Sequence, residues 1–95
     1  MSEQDLNQRI YDADLALQIL ENPVFIAAWS DLENEVIDQW KSSNSADARE
    51  SSHRQLMTLY AVKRQIQQTL ETGKLAKVEL EHRRSMREKL GTWLR

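Results

Sequence analysis

Apolar side chains recur along the chain with the spacing of an α-helix. The first stripe lies within residues 3–21, where an apolar residue returns every three or four positions, as it does on one face of a helix. Ser2 precedes the stripe and suits an N-cap, so we predict a first helix over 3–21. The stripe consists of Leu6, Ile10, Ala13, Leu17 and Leu20.

The same helix carries a second apolar ridge, formed by Tyr11, Leu15 and Ile19. These positions are four residues apart and lie on the opposite side of the helix from the first stripe. A helix that is apolar on two faces needs two partners. In so short a chain, another subunit is one candidate for the second partner.

Asn22 and Pro23 predict the start of a second helix, over 23–41, because asparagine caps helices and proline fits the first helical position. Its apolar residues fall within a stripe about 80° wide. They are Phe25, Trp29, Leu32, Val36 and Trp40. The two tryptophans lie on nearly the same side of the helix, and the pattern allows either core packing or a role as interface anchors.

A polar linker precedes a third stripe, and either Asn44 or Ser45 can cap the helix that follows. A further stripe begins after Gly73, and its phase differs by roughly 140° from that of the third stripe. Glycine commonly follows a helix C-terminus, so we predict two helices, 46–72 and 75–92. One continuous helix that serves two partners on different faces is the alternative. The two stripes are Leu56, Leu59, Tyr60, Val62, Ile66 and Leu70, and then Leu75, Val78, His82, Met86, Leu90 and Trp93.

These elements predict an all-α protein, with residues 1–95 forming a single helical domain. Two glycines and one proline in 95 residues are too few for the turns of a sheet. We expect an antiparallel helical hairpin or a small bundle of three to four helices, and we expect it to be oligomeric.

Charge is distributed unevenly along the chain. Residues 1–40 contain nine acidic residues and one basic residue, a balance of −8, whereas residues 74–95 contain seven basic and three acidic residues, a balance of +4. The basic C-terminal segment 74–95 is expected to meet acidic helices of the same subunit, of another subunit or of a partner protein. The alternative is that Arg83, Arg84, Arg87 and Lys89 contact nucleic acid.

Little in the sequence indicates catalysis. Cysteine is absent, and the two histidines do not have the spacing of a metal site. Two glycines cannot form a glycine-rich phosphate loop, and no apolar run approaches the ~18 residues of a membrane span. We predict no catalytic residue, no cofactor, no metal, no small-molecule substrate and no membrane partner.

Residues 21–80 resemble a group of small helical proteins of tailed bacteriophages and prophages. The resemblance lies in an Asn-Pro opening, an apolar helix that ends in tryptophan, a helix start that reads Asp-Ala-Arg-Glu and a closing Thr-Gly-Lys-Leu-Ala segment. Members of this group are often encoded among genes for head assembly and DNA packaging. The resemblance implies a context of particle assembly and brings no catalytic residue, and the basic tail after Leu80 lies outside it.

We therefore predict a non-enzymatic phage-derived protein-interaction module, a virion-associated or assembly-associated oligomer. The alternatives are a nucleic-acid-binding packaging accessory and a host-directed inhibitor. The expected partners are the chain itself and another phage or host protein, in the bacterial cytoplasm or on the virion. The candidate interaction residues are Tyr11, Leu15, Ile19, Trp29, Trp40, Arg83, Arg84, Arg87 and Trp93.

Overall fold

A computed structural model describes residues 1–94, which form three helices and no strand. The helices are α1 (Glu3–Glu21), α2 (Pro23–Lys41) and α3 (Ala46–Trp93). The predicted all-α class is confirmed. The first two helices begin and end where the sequence predicts, whereas the third differs.

Side-chain caps define the helix starts. The Ser2 hydroxyl accepts a hydrogen bond from the Asp5 amide at 3.1 Å, and the Ser2 amide donates to the Asp5 carboxylate at 3.3 Å. This reciprocal pair is a capping box. Hydrogen bonds to the Asp5 carboxylate, first from the Ser2 hydroxyl and then from the Ser2 amide, lower the pKa of Asp5 below its ordinary value of 3.8.

The other two starts depend on Asn22 and Ser45. The Asn22 side-chain oxygen accepts hydrogen bonds from the amides of Val24 at 2.8 Å and Phe25 at 3.1 Å. The Ser45 hydroxyl accepts one from the Ala48 amide at 3.1 Å. Of the two caps that the sequence allowed for the third helix, Ser45 therefore fills the role.

The predicted helix break near Gly73 is wrong, because α3 continues from Ala46 to Trp93. No glycine among residues 1–94 has a positive φ, so Gly73 does not adopt the left-handed conformation of a helix cap. It is instead buried where α1 comes very close: a Cβ at this position would overlap the Ala13 Cβ and lie 2.9 Å from the Arg9 carbonyl oxygen. The glycine is needed for this approach between helices.

The chain divides into two compact units, and α3 contributes to both. One unit combines Met1–Leu17 with the chain from Gln68 onward. In it α1 runs antiparallel to α3, because Glu3 pairs with Arg87 while Ala13 meets Gly73. Its buried apolar side chains are mostly small: Leu6, Ala13, Ala16 and Ala76.

The other unit comprises Gln18–Gln67. Here α2 lies against the first part of α3, with Val36 and Ser52 buried. Partial desolvation raises the pKa of Tyr60 on α3, and the charge of Glu33 on α2, which is hydrogen-bonded to Tyr60, adds to the rise. This contact also shows an antiparallel pair, since the Lys63 ammonium, further along α3, lies over the ring of Trp29, which precedes Glu33 on α2.

We predict that Gly73→Ala destabilises the protein although alanine favours helices. The helix gains about 1 kcal/mol from the exchange, but a Cβ that overlaps the Ala13 Cβ and crowds the Arg9 carbonyl costs about 3 kcal/mol or more, the upper end of the range for overpacking. Gly91→Ala is the matched control, because nothing lies within 4 Å of a Cβ there. Thermal unfolding followed by circular dichroism should show a lower Tm for the first variant and an equal or higher Tm for the second. An unchanged or raised Tm for Gly73→Ala would contradict the close approach.

We predict that Ser2→Ala raises the pKa of Asp5 towards 3.8, because the Ser2 hydroxyl is the main cause of its lowering. A carboxyl whose pKa is lower in the folded state adds stability above its unfolded pKa, and this stability is lost as the pH falls through the folded pKa. NMR titration of the Asp5 carboxyl measures the change. Ser45→Ala, which removes the cap of α3, should leave the Asp5 titration unaltered.

Candidate interaction surface

Many large apolar side chains remain uncovered. None is fully buried among residues 1–94, and the buried apolar residues are Leu6, Val36 and three alanines. Single exposed apolar residues are ordinary on protein surfaces, but contiguous apolar faces indicate binding sites. The exposed side chains of this chain group into such faces.

The first exposed face is the second ridge of α1. Tyr11, Leu15 and Ile19 are all exposed, as expected if their partner is not part of this chain. Tyr11 and Leu15 belong to the unit that contains the N-terminus, whereas Ile19 belongs to the other. The ridge therefore consists of two parts, one in each unit, and the apolar side chains of both parts are exposed.

The two tryptophans of α2 have different surroundings. Trp29 is half-buried; its ring centroid lies 5.9 Å from that of Phe25, and the Lys63 ammonium lies 5.6 Å from its ring centroid. Its indole Nε1 is buried and has no hydrogen-bond partner among the protein atoms. Trp29 is thus mainly a core residue, and the Lys63 ammonium makes a cation–π interaction with the electron-rich face of its indole.

Trp40, in contrast, is 49% exposed. It lines an open cavity of about 250 Å³ between α2 and the start of α3. The lining is mainly apolar and has a polar edge: Val36, Ile37, Trp40, Ser52, His53 and Leu56. A half-exposed tryptophan that lines an apolar groove resembles the anchor residues that contribute most of the binding energy in protein interfaces.

A third face lies on the C-terminal part of α3, and we call it the 75–93 face. Apart from Trp93, its residues were not among the candidate interaction residues, because the sequence indicated an amphipathic stripe without showing what it meets. Trp93 is 85% exposed and Leu75 is 70% exposed. All six side chains are exposed: Leu75, Val78, His82, Met86, Leu90 and Trp93.

Two of the three candidate arginines are paired with carboxylates of the same chain. Arg83 Nε lies 2.9 Å from a Glu79 carboxylate oxygen, and an Arg87 terminal nitrogen lies 2.8 Å from Glu3. Arg84 is exposed. The contact between Arg87 and Glu3 joins the basic segment to the acidic N-terminal helix within one subunit, which is one of the three arrangements that the charge distribution predicts.

No group of three or more His, Asp or Glu residues among 1–94 is arranged to hold a metal ion. Within the same residues, no helix combines the length and the apolar character that a membrane crossing requires. The features that stand out are the exposed apolar faces.

Comparisons with protein-family models, with curated proteins and with solved structures found no match to this chain.

We predict weak DNA binding, because Glu79 and Glu3 neutralise two of the three candidate arginines and phosphates would have to compete with them. Fluorescence anisotropy with a labelled 20-base-pair duplex should show no saturable binding at tens of micromolar protein in 150 mM salt. The reference is the double variant Glu3→Gln/Glu79→Gln, which frees Arg87 and Arg83. This variant should bind DNA more tightly, and its affinity should fall more steeply with salt, by the equivalent of about two phosphate contacts. Tight wild-type binding that falls steeply with salt would contradict this prediction.

Proposed function

We propose that the chain is a non-enzymatic protein-interaction module that associates with itself and with other proteins through its exposed apolar faces. Its context in this proposal is the assembly of a phage particle. The observation that carries the proposal is the contrast between small buried side chains and large exposed ones. Burying a side chain the size of leucine or valine contributes about 1.5–3 kcal/mol, so each covered face stabilises an assembly substantially.

Trp40 is the proposed anchor for a partner protein. Its side chain is half-exposed and lines the groove between α2 and α3 together with Val36, Ile37 and Leu56. Tryptophan supplies a large apolar area with one hydrogen-bond donor, a combination that is frequent at the centre of interfaces. A partner that inserts an apolar side chain beside Trp40 would exclude water from the groove.

The assembly context rests on the resemblance of residues 21–80 to small helical phage proteins. The groove beside Trp40 falls inside this stretch, whereas most of the 75–93 face lies beyond it. A host-directed inhibitor would use the same kind of surface against a host protein, and the identity of the captured partner separates these two roles. The alternative of a nucleic-acid-binding packaging accessory has less support, because Arg83 and Arg87 are already paired.

The test is co-sedimentation with phage particles and their precursors. The chain carries an affinity tag and is expressed in cells that are producing particles, and sucrose-gradient fractions are analysed by quantitative mass spectrometry. We expect the wild-type chain in particle or precursor fractions, bound to a structural protein at a fixed ratio. Trp40→Ala should weaken that binding about 30-fold, equivalent to about 2 kcal/mol, as for a hot-spot residue.

Gln39→Ala is the matched control, since it alters the exposed neighbour of Trp40 on the same helix. Its binding should equal that of the wild-type chain. Absence of the wild-type chain from all particle fractions would remove the assembly role, and capture of a host enzyme in its place would favour the inhibitor. Equal loss in both variants would show that the groove is not the contact.

A further inference from the structure

The spacing of the six positions of the 75–93 face is symmetric, although the paired residues differ in type. Its six positions are arranged in mirror order about residue 84. Leu75 and Trp93 are each nine residues from that point, Val78 and Leu90 are each six residues from it, and His82 and Met86 are each two. Reversal of the chain direction therefore superposes the face on itself.

We propose that a second copy of this chain packs antiparallel on the 75–93 face, with a two-fold axis at residue 84. This inference rests on the proposed function and names one of its partners. A two-fold interface places the same patch of both subunits in contact. The mirrored spacing provides such a patch, because Leu75 meets Trp93, Val78 meets Leu90 and His82 meets Met86 of the second copy.

Two charged residues within the angular span of the face follow the same mirror order, since Glu79 and Lys89 lie about 40° to either side of its centre. Glu79 and Lys89 are each five residues from residue 84, so each pairs with the opposite charge of the second copy. Arg83 binds only one carboxylate oxygen of Glu79, Oε1, which leaves the other oxygen for Lys89. A parallel, in-register pair would instead place Glu79 against Glu79 and Lys89 against Lys89, and like charges oppose that arrangement.

The residue at the axis does not oppose the dimer. At 100° per residue, Arg84 points roughly 180° away from the centre of the face, so the two copies of Arg84 do not meet. Gly73 and Ala76, the buried positions beside α1, lie about 160° and 100° from the centre of the face at 100° per residue. The second copy therefore does not displace α1.

The size of the face suits a stable dimer. It extends over eighteen residue steps, or about 27 Å at 1.5 Å per residue. Complete burial of the exposed parts of twelve side chains, six from each copy, would remove at most about 1,200 Å² from water. This area lies at the lower end of the range for specific interfaces, about 1,200–2,000 Å².

The first test compares two methionines of α3. Met86 is 46% exposed and lies next to the proposed axis, whereas Met57 is 44% exposed and lies outside the face. By sedimentation velocity, the wild-type chain should be a dimer at tens of micromolar. Met86→Glu should raise the dissociation constant of the dimer at least 100-fold, while Met57→Glu should leave it unchanged. Circular dichroism should show that both variants keep the helical content of the wild-type chain.

The second test determines the orientation, and it uses the absence of cysteine from the sequence. Val78→Cys and Leu90→Cys are prepared separately and oxidised either alone or as an equal mixture. The antiparallel dimer places residue 78 of one copy beside residue 90 of the other, so the mixture should form a disulfide-linked dimer and neither variant alone should do so. Efficient crosslinking of either single variant with itself indicates a parallel pair and overturns the proposal.

The remaining outcomes separate this dimer from the proposed function. A wild-type monomer at tens of micromolar overturns the dimer, and so does equal loss of association in Met57→Glu and Met86→Glu. The assembly role survives either result if the chain still binds particles through Trp40. Conversely, a dimer that behaves as described but never sediments with particles retains the 75–93 face and removes the assembly role.

Discussion

The close contact of α1 with α3 at Gly73 determines how much the N-terminal unit can bury. Helices that approach this closely need small side chains between them, and Gly73, Ala13 and Ala76 meet that need. Small residues remove little apolar area from water, so the contact provides fit more than hydrophobic free energy. The large apolar residues of the same unit, such as Leu75 and Trp93, are left on other faces. The geometry of this contact is thus consistent with large apolar residues lying on other faces of the same unit, among them the 75–93 face.

The unit around α2 reaches the same result by another route. Its two helices meet in part through a lysine of α3 that lies over the ring of Trp29 on α2. The groove between them is incompletely filled, which leaves Trp40 half-exposed beside an open cavity. Both units therefore combine stable local helices, capped by Ser2, Asn22 and Ser45, with limited coverage between helices. Such a chain folds from local signals and gains further stability when a partner covers its faces.

The sequence was informative where the chemistry is local and misleading where it is not. Asn22 and Pro23 define a helix boundary through their own side chains, and the structure has the boundary there. Gly73 was interpreted as a helix end because a glycine that caps and a glycine that admits another helix look alike in sequence. The shift in phase of the apolar stripe after Gly73 marks two faces of one continuous helix and not a break between two helices. The sequence also does not show which residues meet across helices. Trp29 and Trp40 lie on one side of α2, but only the residues opposite them on α3 make Trp29 half-buried and leave Trp40 exposed. Composition predicted that acidic and basic segments attract, but only the fold selects Glu3 as the partner of Arg87.

Lys63 has a consequence for how α2 aligns on α3. Aliphatic stripes on two helices tolerate sliding by a turn, since one leucine-sized contact replaces another at little cost. An ammonium group is less tolerant, because a half-buried cation is stabilised by an electron-rich neighbour and the indole face of Trp29 supplies one. A slip of one helical turn would bring Lys63 level with Phe25, a poorer cation–π partner than an indole, or with Leu32 and Glu33, and would leave the Trp29 ring without its cation. A single lysine in an otherwise apolar stripe thereby favours one alignment over its neighbours by about 0.5–2 kcal/mol.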